Sequence, residues 1–345
     1  MRLRRCGFLV LAVLLASWRH PANAAPSFDC AKAGTIVEKT ICATPALAAQ
    51  DSKLAAAYRS VLDKLSAQGR AALRESELQW LSAMHSVCTA TVPRVACIAD
   101  HYTERQRQLA QALSVHGGVR ILRVDQIATI RDEPDWGNPA SSGMQPANPG
   151  FVTSIGAYPQ IDPALSASDR AWNRKMAATL GVQPFTAEDA KQDLVMEGEE
   201  DYKIVTLTPR LISVEITQSL NAPGALDVDL AKWMIHWLRR EGRELAPDDL
   251  FRPGSAWRSF LTDACFRNLS DRPGYFQQSR KIIAASVGDT EHWAFQRAGL
   301  AIIFEQFEVG PMGVGTPEVV IPWDRLSGYL RPSLPFLPAS AGPLR

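Results

Sequence analysis

Hydrophobic residues recur at helical spacing through residues 44–113. In TPALAAQDSKLAAAYRSVLDKLS, Thr44 is placed to cap a helix and Pro45 to occupy its first turn. The apolar side chains that follow return every three or four residues, which predicts one buried stripe. The stripe consists of Leu54, Tyr58, Val61, Leu62 and Leu65. Gly69 breaks this pattern, so we predict that the helix ends before it.

Two further amphipathic helices are predicted before Gly117 and Gly118, with Pro93 in the turn between them. The first has an apolar face made of Leu73, Trp80, Leu81, Met84 and Cys88. The second begins near Cys97 and has a face made of Ile98, Tyr102, Leu109 and Leu113. Because the aromatic residues share these faces with aliphatic ones, we interpret them as core residues and not as ligand-stacking side chains. They are Tyr58, Trp80 and Tyr102.

After Gly118 the pattern changes to strand-like runs. VRILRVDQIATIRD is β-rich, and YKIVTLTP and LISVEITQSL are two strands divided by a Pro-Arg turn. EHWAFQRAGLAIIFEQFEV predicts two strands about a turn at residues 297–299, and PEVVIPW predicts a last strand. A helix is predicted in SASDRAWNRKMAATL, and LAPDDLFRPGSAWRSFLTDACFRNL predicts a turn followed by a second helix, for which Asp248 or Ser255 is a candidate cap.

Composition marks the boundaries between these units. Residues 136–150, WGNPASSGMQPANPG, form a Gly/Pro/Asn/Ser-rich stretch typical of a loop or linker. We therefore predict a small all-α disulfide-bonded helical domain over residues 25–116, then a connecting strand and linker over residues 117–150. An α+β domain with an antiparallel sheet is predicted over residues 151–338.

Residues 1–24 have the pattern of a secretory signal peptide. MRLRR is followed by the uncharged apolar run CGFLVLAVLLASW and by ANA, which offers small residues for cleavage before Ala25. No later stretch approaches the about 18 uncharged apolar residues of a membrane-spanning helix. The prediction is an exported protein, periplasmic or secreted after cleavage near Ala24, without stable membrane insertion.

Charge argues against nucleic acid as a partner. The full chain has a net charge of +1, and removing the four arginines of residues 1–24 leaves about −3. Such a chain has no basic footprint for nucleic acid. The acidic excess lies in the C-terminal part and includes EGEED at residues 197–201, which we interpret as a solvated face, with attraction of a cationic partner as the alternative.

Four cysteines lie close together in the first part of the exported chain: Cys30, Cys42, Cys88 and Cys97. In an oxidising compartment such clustering favours disulfides. Four cysteines allow three pairings, and we favour the two local closures, Cys30 with Cys42 and Cys88 with Cys97. Cys265 is left over and is interpreted as a buried free thiol.

A zinc site is the alternative for part of this group. His85, Cys88, Cys97 and His101 form H-x2-C-x8-C-x3-H, a spacing compatible with zinc ligation. The oxidising compartment and the two further cysteines, which have no histidine partners, favour disulfides instead. We predict neither a metal nor a cofactor.

The N-terminal helices resemble a known family. FDCAKAGTIVEKTIC, LAAQDSKLAAAYRSVL, LQWLSAMHSVC and CIADHYTERQRQL are similar to successive blocks of the LprI-type lysozyme-inhibitor domain, over residues 28–113 with all four cysteines in place. The chain departs from the family pattern at two places. Gln79 directly precedes Trp80, and Met84–His85 stands where the family often has arginine. The resemblance implies a disulfide-bonded helical domain in a class that includes lysozyme inhibitors.

Residues 150–332 resemble a second family, the extracellular C-terminal domain of RsiV-type anti-sigma factors. The similar segments are YPQID, Asn173, LISVEI, EGRELAPDDLF and AGLAIIFEQFEVGPMGVGTPEVVIPWDRL. Two departures are PGALD at residues 223–227, where the family often has G-G-A-H-P, and Met312, where an aromatic residue often stands. RsiV members sense lysozyme by binding it.

Both resemblances imply lysozyme as the partner, and we predict a protein that binds lysozyme and inhibits it by covering its cleft. The segment QFEVGPMGVGTPEVVIPW lacks the lysine of a phosphate-binding loop and joins two strands, so we interpret it first as a structural bend. Its alternative role is a rigid surface offered to a protein partner. The partner-binding residues predicted for that role are Phe307, Glu308, Pro311 and Met312.

Two other function classes are weaker alternatives. The chain lacks G-x-S-x-G, H-E-x-x-H and G-x-x-x-x-G-K-[ST], and His236 and His292 are isolated, so we predict no catalytic residue. A cell-wall-modifying enzyme is kept as an alternative because Glu305 and Glu308 leave a carboxylate pair open. A peptidoglycan- or glycan-binding protein is suggested by nine tryptophans, although Trp80, Trp233 and Trp237 have apolar neighbours at core spacing.

Overall fold

A computed structural model of the chain describes residues 25–131, 150–182, 185, 197–221, 228–276, 279–335 and 337. Three predicted features lie outside the described residues: the signal peptide, nearly all of the linker at 136–150, and the PGALD segment at 223–227. Within the described ranges, no helix combines the length and the hydropathy needed to cross a membrane.

The N-terminal region consists of helices. They are α1 (Ile36–Ala43), α2 (Pro45–Leu62), α3 (Ala67–Ala90) and α4 (Arg94–Gln111). Pro45 occupies the first turn of α2, as predicted. Sequence periodicity predicted three of these helices, and α1 was missed because eight residues are too few to show a stripe. It is set locally by a capping box, in which the Thr35 hydroxyl accepts the Glu38 N–H and the Glu38 carboxylate accepts the Thr35 N–H.

Four details of the helices differ from the prediction. Gly69 lies in the first turn of α3, not in the break, and Ser66 caps that helix by accepting the Gly69 N–H at 3.2 Å. Helix α4 begins at Arg94, before Cys97. Leu81 is 37% exposed, while Leu113 belongs to a strand. Spacing alone did not show where the helices meet other elements.

Both predicted disulfides are present. Cys30 pairs with Cys42 at a Cα–Cα distance of 5.9 Å, and Cys88 pairs with Cys97 at 5.6 Å. Cys265 is a buried free thiol, and burial raises its pKa to about 12. The first bridge joins the 3-10 helix Cys30–Lys32 to α1, and the second joins α3 to α4.

A seven-stranded sheet follows the helices, with its strands in sequence order. The strands are β1 (Leu113–His116), β2 (Val119–Arg131), β3 (Phe151–Ile161), β4 (Glu197–Leu207), β5 (Leu211–Asn221), β6 (Asp229–Leu238) and β7 (Arg243–Glu244). Neighbouring strands pair antiparallel, as predicted, except β3 and β4, which pair in parallel. Helix α5 (Ala167–Thr179) lies between those two strands in the chain, where a parallel connection needs a crossover.

Strand β6 was not predicted from the sequence. Its second half, residues 234–238, is buried without alternation. A strand covered on both faces lacks the period of two that identifies a strand from sequence.

A second, three-stranded antiparallel sheet completes the C-terminal domain, in the order β10–β9–β8. Its strands are β8 (Trp293–Phe295), β9 (Gly299–Ile303) and β10 (Glu318–Pro322), and the helices around it are α6 (Pro247–Leu250), α7 (Trp257–Ser270), α8 (Arg280–Ser286) and α9 (Trp323–Leu326). The predicted caps were wrong. Helix α7 begins after Ala256 without a side-chain cap, and Asp248 lies inside α6.

The buried apolar residues form two large clusters. One joins the helical region to the seven-stranded sheet, with Trp80 and Tyr102 from the helices and Ile121, Trp172 and Trp237 from the sheet and α5. The other lies among α7, α8 and the three-stranded sheet. The helical region and the seven-stranded sheet thus share one hydrophobic core, separate from the core of the small sheet.

Candidate functional site

The loop of residues 304–317 joins β9 to β10 and contains all four predicted partner-binding residues. Its base is closed by Phe304, which is fully buried and donates its N–H to the Pro317 carbonyl at 2.9 Å. Ile303 and Glu318 form the last strand pair below it. The loop therefore projects from the end of a short antiparallel hairpin.

The first turn of the loop is held by the Glu308 side chain. Its carboxylate accepts the Glu305 N–H at 2.8 Å and the hydroxyl of Ser286 in α8. The Glu308 N–H donates back to the Glu305 carbonyl at 3.2 Å. Glu308 is thus occupied in bracing, and it does not form a free carboxylate pair with Glu305.

Phe307 lies at the tip of this turn with a φ of 65°, and its side chain is 47% exposed. For a residue with a Cβ, the left-handed region costs about 1–2 kcal/mol. The two hydrogen bonds that the Glu308 carboxylate accepts, from the Glu305 N–H and the Ser286 hydroxyl, maintain that conformation. An exposed aromatic side chain is thereby held in a fixed position.

The second half of the loop packs against the segment after α7. The buried Val309 accepts the Phe276 N–H at its carbonyl, at 3.1 Å. A Cβ on Gly310 would lie 2.8 Å from the Val314 side chain, so this glycine permits a close approach. Of the loop's glycines, Gly315 alone has a positive φ, at 62°.

Pro311 and Met312 follow at the surface of the same half. Pro311 is exposed, and Met312 is half-buried at the start of the 3-10 helix Met312–Val314. A further brace comes from Gln306, whose side-chain oxygen accepts the Leu230 N–H at 2.6 Å. The bracing residues Ser286, Phe276 and Leu230 were missed from sequence, because their partners lie 22 to 76 residues away.

His236 forms a serine–histidine pair that has a structural role. Its Nδ1 accepts the Ser213 hydroxyl at 2.8 Å, and its Nε2–H donates to the Trp293 carbonyl at 2.7 Å. Both side chains are buried, and burial lowers the histidine pKa to about 4. With both nitrogens used and no access for a substrate, the ring joins β6 to β5 and to the small sheet.

His292 is used in the same way. Its Nδ1 lies 2.7 Å from the Ile303 carbonyl, next to the base of the 304–317 loop. The interpretation of both isolated histidines as structural agrees with these contacts.

The zinc alternative is not what the structure shows. Cys88 and Cys97 are joined as a disulfide, although their sulfur atoms and a His101 ring nitrogen lie within 4.8 Å of one another. His85, the fourth residue of the spacing, is not part of that group.

The EGEED run lies at the start of strand β4 and is only partly solvated, with Glu199 its one exposed residue. Its residues are mostly half-buried, and Asp201 pairs with Arg123 at 2.6 Å. Burial raises the pKa of both Glu197 and Glu200. Pairing across the sheet, which is not visible in the run itself, decides its environment.

Two stretches of the chain match family models. Residues 29–109 match the family described as "Lysozyme inhibitor LprI". Residues 248–324 match a "Protein of unknown function (DUF3298)", and this stretch contains the 304–317 loop. The N-terminal resemblance is thus supported, whereas the C-terminal match is to a family without an assigned function.

Curated relatives support the N-terminal match. Proteins named "Lipoprotein LprI" from Mycobacterium tuberculosis and Mycobacterium bovis are each 32% identical to this chain over 117 residues. The similar region covers 32% of this chain and 57% of each relative. The chain therefore spans little more than half the length of these relatives.

Two solved structures of the DUF3298 family are also similar to this chain. One, from Bacteroides fragilis, has a TM-score of 0.41 at 16% identity and covers 64% of this chain and 97% of its own. The other, from Pseudomonas aeruginosa, has a TM-score of 0.39 at 17% identity and covers 63% and 96%.

Proposed function

We propose that this chain is an exported envelope protein that binds lysozyme and inhibits it by covering its substrate cleft. The observation that carries this proposal is the match of residues 29–109 to the lysozyme-inhibitor family, in a segment where both disulfides are formed. The relatives named as lipoproteins support an envelope location. The predicted signal peptide at residues 1–24 and its cleavage near Ala24 are part of the same proposal.

We further propose that the 304–317 loop is a docking surface, in a domain that is RsiV-like. A loop braced by Ser286, Leu230 and the Phe276 segment loses little entropy on binding. Phe307, Pro311 and Met312 would contact the partner, while Glu308 would hold Phe307 in place. Aromatic and methionine side chains are enriched in the centres of protein interfaces, which supports this assignment.

Glycan binding has less support than lysozyme binding. Carbohydrate platforms need exposed aromatic rings, yet the tryptophans of the described residues are buried, except for the half-buried Trp233. Peptidoglycan remains an alternative partner, and a cell-wall-modifying enzyme remains the weaker alternative activity.

The deciding experiment is a turbidity assay of lysozyme on bacterial cell walls with the purified mature chain. We expect the chain to slow clearing by at least one class of lysozyme and to bind that lysozyme directly. Neither inhibition nor binding across several lysozyme classes would overturn the proposal. Clearing of walls by this chain alone would show an enzyme, and co-sedimentation with insoluble peptidoglycan without inhibition would show a glycan-binding protein.

Loop variants test the docking surface separately. Phe307→Ala and Met312→Ala should each weaken lysozyme binding at least tenfold, a magnitude typical of interface hot spots. Leu165→Ala is the matched control, since Leu165 is 81% exposed and lies outside the loop. Full inhibition by both loop variants would show that the docking surface lies elsewhere on the chain. The proposal of lysozyme binding would then still hold.

A further inference from the structure

Four connections of the seven-stranded sheet come together at one of its ends. Strand pairing places there the β1–β2 turn, the segment from β3 to α5, the β4–β5 turn and the β6–β7 turn. The Arg239 N–H donates to the Arg210 carbonyl at 2.9 Å and so links the last two turns. Gly242 approaches the start of α5, since a Cβ there would lie 3.6 Å from the Ser168 side chain. We call this surface the loop end of the sheet, and it shares no residue with the 304–317 loop.

Arginines dominate the charge of the loop end. They come from α5, from the β4–β5 turn and from the β6–β7 turn, and they are Arg170, Arg174, Arg210, Arg239 and Arg240. The acidic residues that alternate with them in the same segments are Asp169 and Glu241, so this arginine cluster has a net charge of +3. The exported chain as a whole has a net charge of about −3. The positive charge is therefore a local feature of this surface.

Most of these guanidinium groups are available to a partner. Arg239 is the exception, because it pairs with the buried Asp169 at 2.9 Å. Within the described ranges, Arg174, Arg210 and Arg240 form no ion pair, and Arg170 makes only two long contacts, at 3.4 and 3.5 Å, with backbone carbonyls. Four of the five cations are thus not neutralised by a carboxylate of the fold.

Two ion pairs next to the arginine cluster leave its charge unchanged. Lys175 of α5 pairs with Glu244 at 2.6 Å, and Arg243 pairs with Asp249 at 2.7 Å. Each pair is internally balanced, so the excess of positive charge is not cancelled by its neighbours. Charge complementarity selects an anionic partner for this end.

Exposed apolar side chains lie at the same end. Leu165, in the segment from β3 to α5, is 81% exposed, and its carbonyl is one of the two that Arg170 contacts. Val115 lies one residue before the end of β1 and is 69% exposed. Basic and apolar side chains together are typical of surfaces that bind membranes, where the apolar groups enter the boundary between headgroups and acyl chains. A dissolved anionic polymer would leave these apolar side chains in water.

We propose that the loop end of the sheet binds the surface of an anionic membrane. The guanidinium groups of the arginine cluster contact lipid phosphates, to which arginine donates paired hydrogen bonds. Leu165 and Val115 enter the headgroup region. The binding is peripheral, it is separate from lysozyme binding, and it does not depend on it.

Flotation of vesicles with the full mature chain tests the proposal. One set of vesicles contains phosphatidylcholine alone, and the other contains phosphatidylcholine mixed with phosphatidylglycerol. We expect at least tenfold tighter binding to the mixed vesicles and a progressive loss of that binding as salt is added. Equal binding to both sets, or binding to neither, would overturn the proposal. Binding to polyphosphate without binding to vesicles would show a surface for anionic polymers and would also overturn it.

Charge variants locate the surface. Arg170→Gln combined with Arg240→Gln should weaken binding to the mixed vesicles at least tenfold, since one basic residue near an anionic surface contributes about fivefold. The matched control is Arg267→Gln combined with Arg297→Gln, which removes the same charge from exposed positions in α7 and in the β8–β9 turn. An equal loss in both double variants would assign the binding to net charge and contradict the proposal.

Apolar variants separate a membrane contact from attraction at a distance. Leu165→Ala combined with Val115→Ala removes no charge, so it should weaken binding severalfold and leave its salt dependence unchanged. Both side chains are exposed, and circular dichroism verifies that the variant is folded. Full binding by this variant would show electrostatic attraction without insertion of apolar groups and would overturn the proposed contact.

Discussion

At the scale of single residues, several buried polar side chains have defined hydrogen-bond partners. His236 is the clearest case, with Ser213 on one ring nitrogen and the Trp293 carbonyl on the other. Asn173 is another, since its amide accepts the Ile161 N–H at 2.8 Å and donates to the Ile161 carbonyl at 2.9 Å. Such pairs offset the desolvation of the buried groups and position the strands and the helix that carry them.

The buried His236 predicts an acid-sensitive fold. Its pKa is lowered to about 4 in the folded protein, whereas an unfolded chain has a histidine pKa of about 6.5. Between these values the unfolded state binds the extra proton. Stability should therefore fall as the pH drops from 6.5 towards 4, by roughly 3 kcal/mol in total from this residue.

Urea unfolding at a series of pH values measures this effect. His236→Gln should flatten the pH dependence of the free energy of unfolding between pH 6.5 and 4.5. Ser213→Ala is the control, because it removes a hydrogen bond but retains the titrating ring and hence the slope. The same slope in wild type and His236→Gln would show that other groups carry the dependence.

At the scale of elements, helix α3 and strand β3 meet at one buried carboxylate. Asp162 is 1% exposed and accepts the Ser66 N–H at 3.1 Å, the Ser66 hydroxyl and the Arg120 guanidinium at 3.2 Å. Ser66 caps α3 at the same time, so the start of the helix is attached directly to the end of β3. Gly69 leaves the space that this contact requires, since a Cβ there would lie 2.5 Å from the Asp162 oxygen.

Gly69→Ala should therefore destabilise the protein by about 1–3 kcal/mol, the usual cost of overpacking. This opposes the gain of about 1 kcal/mol that alanine normally brings to a helix interior. Chemical denaturation of Gly69→Ala measures the change, with Gly328→Ala as control because nothing lies within 4 Å of that Cβ. A stabilised Gly69→Ala variant would mean that Asp162 moves aside freely.

At the scale of the whole molecule, the helical region and the large sheet share one hydrophobic cluster. Leu73, Trp80 and Met84 of α3 belong to the same buried group as Ile121 and Val124 of β2. Part of the helical surface is therefore covered by the sheet and not by other helices. Burial of this shared surface should couple the unfolding of the two parts.

We expect one cooperative transition in which helical and sheet structure are lost together. A fragment of residues 25–116 with both disulfides intact should unfold at a lower temperature than the full mature chain and should bind a hydrophobic dye. Circular dichroism follows the loss of helical structure, and tryptophan fluorescence follows the loss of packing in the sheet-rich part. Two separate transitions, or a fragment as stable as the full chain, would contradict this expectation.

Particular residues show where sequence reasoning succeeds. The cysteine spacing and the local-closure argument identified both disulfides, and Thr44–Pro45 identified the start of α2. These features depend on neighbours within about a dozen residues, which the sequence shows directly. Gly69 shows the opposite case, because its partner is Asp162 on a distant strand.

The sequence by itself determined the local chemistry of this protein: its amphipathic helices, its two short disulfide loops, most of its strands and its α+β class. Tertiary structure alone decided the parallel β3–β4 pairing, the braces that hold Phe307, and the arginine cluster at the loop end of the sheet. The physical reason is the separation along the chain of the residues that interact. Helix periodicity and local disulfide closure act between near neighbours, whereas these features arise where segments far apart in the chain are packed together by burial of a common core.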